Sequence, residues 1–533
     1  MRPEHHRLRP LSELARLLGP DAFLTCVDGA DAPLGTAAAA DPPDGGDRTD
    51  GVEAVITGVT HDSRRVRPGD LYAALPGDTA HGADFAAQAA ESGAVAVLTD
   101  PTGYDRAAAT RLPVLTVADP RARLGEVAAW VYGDPSEELL LIGTTGTSGK
   151  TTVTYLVESG LRAAGLRTGL IGTVEMRVGD ERVASALTTP EATDLHGLFA
   201  VMREREVAAA AMEVSSHALA KGRVGGAHYD VAVFTNLSQD HLDFHADLRE
   251  YFDTKARLFT PEFCRIAVVN RDDRFGRVLI DMVEARGDVP VTTFSAEGDP
   301  EADWRAVDVR LDPEGSTFRV VGPGGMEADG SVPLPGAFNV ANAMAAVVGL
   351  VEAGIPLHEA LAGVAAAPGV PGRMERVDEG QDFTAVVDYS HKPGAIEAAL
   401  GSLRGITEGR LAIVVGCGGD RDRAKRPLMG EAAARLADSL IIADDNPRTE
   451  DPVLIAAAML EGVAKVPADA RARVVVEFDR AAAIDRAVRE AGPGDTVIVA
   501  GKGHETGQYV EGRVLPFDDR EALRDALRRR AEG

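Results

Sequence analysis

Lys150 and Thr151 close a glycine-rich stretch, GTTGTSGKTT at residues 143–152, whose chemistry is phosphate binding. In such a loop the backbone N–H groups converge on an anion, and the N-terminus of the following helix adds positive potential. Lys150 would reach the terminal phosphates of a nucleoside triphosphate, and Thr151 would offer its hydroxyl to Mg²⁺. The strict pattern G-x-x-x-x-G-K-[ST] asks for glycine at 144, where this chain carries Thr144. A glycine-rich turn ahead of a plain helix is the competing reading.

Other polar clusters follow apolar runs. Glu213 in MEVSSH (residues 212–217) is a carboxylate that can hold a metal opposite the phosphate loop. DHLDFH at 240–245 puts His241, His245, Asp240 and Asp243 within six residues, and a metal site and a helix-capping polar loop fit that spacing equally. Lys255 stands one helix later, where spacing alone gives a solvated surface lysine. In the last third, DYSHKP (388–393), GCGGDRDR (416–423), DDNPR (444–448) and GKGHE (501–505) each join glycine or proline to charged side chains. One such cluster makes a turn; four at strand ends indicate one shared site.

The elements that must position these residues fall into three blocks. Residues 1–137 hold short strands near 55–56, 71–75 and 94–98 and a helix at 85–92, with an Ala/Asp/Gly/Pro-rich segment at 29–51 expected to be a disordered insertion or long surface loop. Residues 138–371 open on the apolar run 139–142, followed by the phosphate loop and then Val153, Leu156, Val157 and Leu161 on one helical face. Apolar runs at 169–174, 208–214, 231–236, 266–270 and 289–294 predict a mostly parallel sheet covered on both faces, with an antiparallel excursion over 307–320 and a helix over 339–351. Residues 372–533 repeat the alternation, with strands at 383–389, 411–416, 439–443, 473–477 and 496–500, a doubly wound pattern. The expected fold class is α/β in three domains: a small α/β N-terminal domain, a central phosphate-loop ATPase domain and a Rossmann-like C-terminal domain.

A formal net charge of −27 over 533 residues argues against nucleic acid as a general partner, because a phosphate backbone is bound by surplus Lys and Arg. Anionic small molecules need only a local cluster of donors. Cys26, Cys264 and Cys417 are too few and scattered for a disulfide framework, which fits a reducing cytoplasm. The charged stretch 1–19 lacks the apolar core of a signal peptide, and no window approaches the roughly 18 apolar residues of a membrane span.

Taken in order, GTSGKT, EVSSH, NLSQDHLDFH, FNVANAMAA (338–346), VPGRME (370–375), DYSHKP and GCGGDRD resemble the Mur ligase family, which builds the peptide stem of bacterial cell-wall precursors. The resemblance covers nearly the whole chain. DSRRVRPGDLYAALPG (62–77), DNPR (445–448) and GKGHE look like the branch of that family that adds the third amino acid. The resemblance implies an ATP- and Mg²⁺-dependent amide ligase, expected as a monomer, that acts on UDP-N-acetylmuramoyl-L-alanyl-D-glutamate and 2,6-diaminopimelate.

It also implies roles. Thr145, Gly146, Thr147, Ser148, Gly149, Lys150 and Thr151 would hold the ATP phosphates, and Asn339, Arg373, Asp388 and His391 the rest of the nucleotide. Ser63 with Asp78, Thr79 and Ala80 would meet the uridine diphosphate end. Thr188, Thr189, Ser215, Lys221 and Arg223 would line the muramoyl-peptide path, with Lys221 where many relatives carry glutamine. Arg421, Asp445, Asn446, Pro447, Arg448, Gly501 and Glu505 would form the diaminopimelate pocket, with the Pro447 ring helping to aim Arg448. Lys255 aligns with a lysine that family members carry as a carbamate. With Thr151, Glu213 and His241 that anion would bind Mg²⁺, a cation that takes oxygen ligands. A sister ligase adding L-lysine, a folylpolyglutamate synthetase and a non-catalytic ATP-dependent binding protein are the alternatives.

Overall fold

The computed structural model describes residues 1–25, 31–33, 54–183, 187–242 and 244–532. Three sheets organise the chain as a mixed α/β fold. The first has the strand order Asp31–Pro33, Phe23–Thr25, Val114–Thr116, Ala96–Thr99, Asp70–Ala73, Gly58–Thr60, and its last four strands are parallel. Helix Leu11–Leu18 places Leu11, Leu14 and Leu18 on one face, and these pack with Leu71, Ala73 and Leu98 of the sheet. Within the expected insertion, Asp31–Pro33 instead forms the antiparallel edge of this sheet on Phe23–Thr25; the rest of 29–51 lies outside the described residues, as does Cys26.

The central sheet has eleven strands. Its parallel part runs Thr168–Ile171, Ala209–Glu213, Leu140–Thr145, Tyr229–Phe234, Cys264–Asn270, Val291–Ser295 and Trp304–Asp312. Their inner stretches, such as 209–212, 231–234 and 266–269, are apolar because both faces are covered. Ala210 and Met212 point into one core with Ala232 and Phe234, while Ala209 and Ala211 join Val231 and Val233 in the other. Helix Ala337–Glu352 covers the second face. The excursion expected over 307–320 is a three-stranded meander, Trp304–Asp312, Gly315–Gly322 and Met326–Val332, continuous with the parallel sheet. Trp304 and Ala306 are buried against the core, whereas 308–312 project beyond it and are exposed, so the alternation fades before the strand ends.

The third sheet is ordered Glu375–Arg376, Thr384–Asp388, Thr496–Ala500, Leu411–Val415, Ser439–Ile442, Arg473–Val476, parallel except for the first. The last strand in sequence thus inserts between the first two parallel ones. That order brings the carboxyl ends of Asp388, Val415 and Ala500 side by side, at the crevice where open α/β sheets bind ligands. One terminal element carries no signal in the apolar pattern, the hairpin Gly507–Val510 with Arg513–Pro516, whereas helix Asp519–Glu532 shows one by burying Leu523, Ala526 and Leu527 at i, i+3 and i+4. Among the described residues no helix is long and apolar enough to cross a membrane.

Candidate active site

The loop after Leu140–Thr145 turns into helix Lys150–Ala163, and its shape depends on two glycines with positive φ, Gly146 at 147° and Gly149 at 85°. A Cβ at Gly146 would sit 1.9 Å from the Thr235 hydroxyl, and one at Gly149 would sit 2.3 Å from Asn342 Oδ1. The neighbouring strand end braces the loop: Ser148 N donates to Asn236 Oδ1 at 3.0 Å, and the Thr235 hydroxyl donates to Ser148 O at 2.7 Å. Lys150 folds back over it, donating to Gly146 O at 2.9 Å and Thr147 O at 3.0 Å. Burial brings its ammonium down to about 8, with Glu213 opposing the shift. The loop is held in one shape, with Thr147 N and Ser148 N both donating to Asn236. The Thr144 side chain is buried beneath it, with no hydrogen-bond partner for its hydroxyl. We expect Gly146→Ala to raise the KM for ATP about tenfold or more, since backbone strain of this kind costs about 1–3 kcal/mol. Steady-state kinetics with ATP varied would check it, and an unchanged KM would show the loop to be tolerant.

Lys255, on helix Leu248–Ala256, is 1 % exposed, so the surface-lysine alternative does not hold. Its amine donates to Gly146 O at 2.9 Å and to the Thr145 hydroxyl at 3.4 Å, and lies 4.7 Å from the centre of the Tyr251 ring. These are neutral neighbours. Burial lowers the amine's pKa well below that of free lysine, and the positive charges of Lys150 and Lys392 lower it further against Asp240. Glu213 ends its strand fully buried, accepting from Thr173 N at 2.8 Å and from the Thr173 hydroxyl at 3.1 Å. Gly172 leaves room for it, because a Cβ there would lie 2.6 Å from Glu213 Oε1.

His241 has φ 54° and its Nε2 lies 3.1 Å from Asp240 Oδ2; burial holds its imidazole near a pKa of about 4. His245 turns inward to the Ser216 hydroxyl at 3.1 Å. Among the described residues no three His, Cys, Asp or Glu side chains form a ready metal site; Asp243 of DHLDFH lies outside those residues.

The C-terminal sheet docks onto this cleft. Lys392, just past His391, forms an ion pair with Asp240 across the two sheets. Burial would raise the Asp240 carboxyl, but Lys392 and His241 outweigh it and hold it low. Arg373 lies over the Tyr389 ring at 4.1 Å, and His391 packs on the same ring at 4.5 Å with its Nδ1 2.7 Å from Tyr389 O. Burial pushes His391 down to about 3. Asp388 accepts from Met374 N and Ser390 N, each at 2.8 Å, and so fixes the turn that carries these residues. Asn339 is buried, donating to Pro335 O at 2.8 Å and accepting from Asn342 at 3.0 Å; it reaches the phosphate loop only through Asn342.

Toward the N-terminal sheet, Thr189 donates to Glu213 O at 3.0 Å and lies 3.3 Å from the Ser215 hydroxyl, while Thr188 accepts from Thr173 at 3.0 Å. Arg223 pairs with Glu191 at 2.8 Å, and Lys221 is exposed with its ammonium 5.6 Å from the Phe244 ring centre. Ser63 is buried and donates to Gln88 at 3.1 Å, while Asp78, Thr79 and Ala80 form an exposed turn.

At the far end of the cleft, Asn446 is held from three sides. Its Oδ1 accepts from Lys502 Nζ and Tyr509 N, both at 3.0 Å, and its Nδ2 donates to Glu505 at 2.9 Å. Asp445 is buried, its carboxyl raised by burial against the pull of Arg480 and Lys502, and it fills the space a Cβ at Gly501 would enter, 2.6 Å from Oδ2. Pro447 O lies against Gly419, 1.9 Å from where a Cβ there would be. Arg448 has φ 55° and donates to Gly419 O at 2.6 Å; among the described residues no carboxylate pairs with it. Arg421 is exposed beside it. Beneath the pocket, fully buried Arg480 pairs with Asp519 at 2.7 Å and donates to Ala500 O at 2.9 Å. Lys392, Arg480, Lys502 and Tyr509 were not singled out by sequence. Lys392 and Lys502 lie inside recognised motifs, but Arg480 and Tyr509 carry no motif signal.

A glycine-rich loop leading into a helix, a buried lysine with no ion pair among the described residues, and a C-terminal α/β sheet tied to them by the Lys392–Asp240 ion pair form an arrangement that suits a nucleotide-dependent enzyme. Family profiles agree: the Mur ligase family catalytic domain matches residues 55–132, the Mur ligase middle domain 144–350, and the Mur ligase glutamate ligase domain 372–503. The UDP-N-acetylmuramoyl-L-alanyl-D-glutamate–2,6-diaminopimelate ligase of Streptomyces avermitilis is 61 % identical over 89 % of this chain and 93 % of its own. Its namesake in Streptomyces coelicolor is 58 % identical over 99 % and 98 %. A solved structure of the same description is 33 % identical, with TM-score 0.65 over 89 % of this chain and 95 % of that one. The folylpolyglutamate synthase of Mycobacterium tuberculosis, 21 % identical with TM-score 0.57 over 72 % of this chain and 93 % of that one, shares the fold. The chain belongs to the Mur ligase family, and it is a ligase.

Proposed function

We propose that this chain uses ATP to join 2,6-diaminopimelate to the D-glutamate of UDP-N-acetylmuramoyl-L-alanyl-D-glutamate, a step in peptidoglycan precursor synthesis. Residues 1–137 take the nucleotide sugar, 138–371 the ATP, and 372–533 the incoming amino acid. The observation that carries the reading is Arg448: a guanidinium that no carboxylate pairs among the described residues, two positions along the chain from Asn446, which binds Glu505. An L-lysine side chain would leave that cation unanswered, whereas the second carboxylate of diaminopimelate answers it.

Amide formation needs a carboxylate oxygen turned into a leaving group. The side-chain carboxylate of the D-glutamyl residue attacks the γ-phosphorus of ATP, giving an acyl phosphate and ADP. The neutral amine of diaminopimelate then adds to that carbonyl and phosphate departs, carrying the oxygen that the carboxylate supplied, while the proton lost from the nitrogen leaves with phosphate or solvent. Lys150 and the loop amides offset the charge of the approaching anions, and Arg448 with Glu505 orients the amino acid.

Unmodified Lys255 fits Mg²⁺ poorly: as an amine it offers nitrogen where the cation takes oxygen ligands, and protonated it would add a third positive charge near Lys150 and Lys392. As a carbamate it would be an anion, and with Glu213, the Thr151 hydroxyl and the low-pKa His241 it would hold the cation. Bound Mg²⁺ would draw charge from the phosphate oxygens. Phosphate release by the purified chain should require ATP, the UDP-muramoyl dipeptide and diaminopimelate together. Equal release with L-lysine would return the assignment to the sister ligase.

A further inference from the structure

Resting on the function proposed above, we infer that Tyr509 is a specificity-determining positioning residue, which holds Arg448 in the orientation that reads the distal carboxylate of the incoming amino acid. Arg448 has φ 55°, a left-handed conformation that a residue with a Cβ keeps only when its surroundings hold it. The holding element is the strand Gly507–Val510. Arg448 N donates to Tyr509 O at 2.8 Å, and Glu511 N donates to Arg448 O at 2.6 Å. Tyr509 N in turn donates to the Asn446 side chain at 3.0 Å, so one residue ties together both ends of the Asn446–Arg448 segment.

The side chain adds a further contact. The guanidinium carbon lies 5.9 Å from the centre of the Tyr509 ring, within cation–π reach, while Nη1 is anchored on Gly419 O at 2.6 Å. The cation is therefore held between a carbonyl and an aromatic ring, leaving its other donors for a ligand. The strand is itself firmly built. It pairs with Arg513–Pro516 through Glu511 and Gly512, whose φ values of 48° and 75° suit the tight two-residue turn of a twisted hairpin. Core packing does not demand this tyrosine: its side chain is 48 % exposed and belongs to no buried apolar cluster. An edge-strand tyrosine with no role would sit as exposed, but need not lie against the guanidinium.

The test uses Tyr509→Phe, Tyr509→Ala and the double variant Arg448→Ala/Tyr509→Ala in the full chain, with KM for diaminopimelate, lysine and ATP measured separately. Tyr509→Ala is expected to raise the KM for diaminopimelate about two- to fivefold and to lower preference over lysine equally, with the KM for ATP and the Tm unchanged. Tyr509→Phe keeps the ring and should behave as wild type. Because Tyr509 acts through Arg448, the double variant should be no worse than Arg448→Ala alone. If Arg448→Ala loses the preference but Tyr509→Ala keeps it, or raises the KM for ATP as much, the inference fails and the substrate assignment stands. A wild-type chain indifferent to diaminopimelate overturns both.

Discussion

Lys255→Ala is expected to lower kcat by about 10²–10³ or more, the cost of removing one fixed charge from a phosphoryl-transfer site. The variant should stay folded and keep its KM for diaminopimelate, whose proposed pocket lies on the C-terminal sheet. The argument starts from burial. A lysine 1 % exposed, with a carbonyl, a hydroxyl and an aromatic ring around its amine, has nothing to stabilise a positive charge. Its pKa is therefore lowered. Only a neutral amine adds to CO₂, so lowering the pKa enlarges the reactive fraction at neutral pH. The sign follows: carbamate is favoured as pH rises past the lowered pKa and is lost as pH falls through it. The product is an anion facing the positive charges of Lys150 and Lys392. Short carboxylic acids should partly restore turnover by occupying the emptied site. Isotope-labelled bicarbonate should give a carbamate signal in the wild-type chain and none in the variant. Near-normal activity of Lys255→Ala in CO₂-depleted buffer would remove Lys255 from the chemistry.

That environment was only half legible in the sequence. The spacing of Leu248, Tyr251, Phe252 and Ala256 marks a helix, and Lys255, seven residues after Leu248 and four after Tyr251, falls on that same apolar face, a signal the surface-lysine reading passes over. Resemblance supplied the role; the fold shows burial against Gly146 O. The strands were legible for a physical reason. Runs such as Tyr229–Phe234 alternate between two cores, so Val231, Ala232, Val233 and Phe234 are all apolar; Asp230, near the strand's start, is the exception and accepts from Leu141 N at 2.9 Å. Strand order was not legible, because inserting Thr496–Ala500 between Thr384–Asp388 and Leu411–Val415 is decided by packing far along the chain. The hairpin Gly507–Val510 and Arg513–Pro516 was missed for the opposite reason. It buries little, so it leaves no periodicity, yet it sets the conformation of Arg448. The expected brace, the Pro447 ring, precedes a residue at φ 55° that is held instead by Tyr509 and Glu511.

Arg448→Ala should raise the KM for diaminopimelate by about tenfold or more and leave the KM for ATP nearly unchanged. Diaminopimelate differs from lysine by a carboxylate at the far end of its side chain, and a pocket that selects it must offer a fixed cation there. Arg448 qualifies on three counts: its backbone is clamped, one terminal nitrogen is anchored on Gly419 O at 2.6 Å, and no carboxylate among the described residues neutralises it. In a chain of net charge −27 a guanidinium so placed is electrostatically conspicuous. A charge-assisted hydrogen bond contributes about 1.5–3 kcal/mol, roughly ten- to a hundred-and-fifty-fold in selectivity. Because the lost contact is to the amino acid and lies remote from the γ-phosphate, the loss should appear mainly in KM rather than kcat. Arg448→Lys should recover only part of it, since an ammonium keeps the charge but not the planar fork. Competition between diaminopimelate and lysine for product formation reads the effect directly. A variant that keeps wild-type preference would show that some other group reads the distal carboxylate, and would remove the main physical support for diaminopimelate as the substrate.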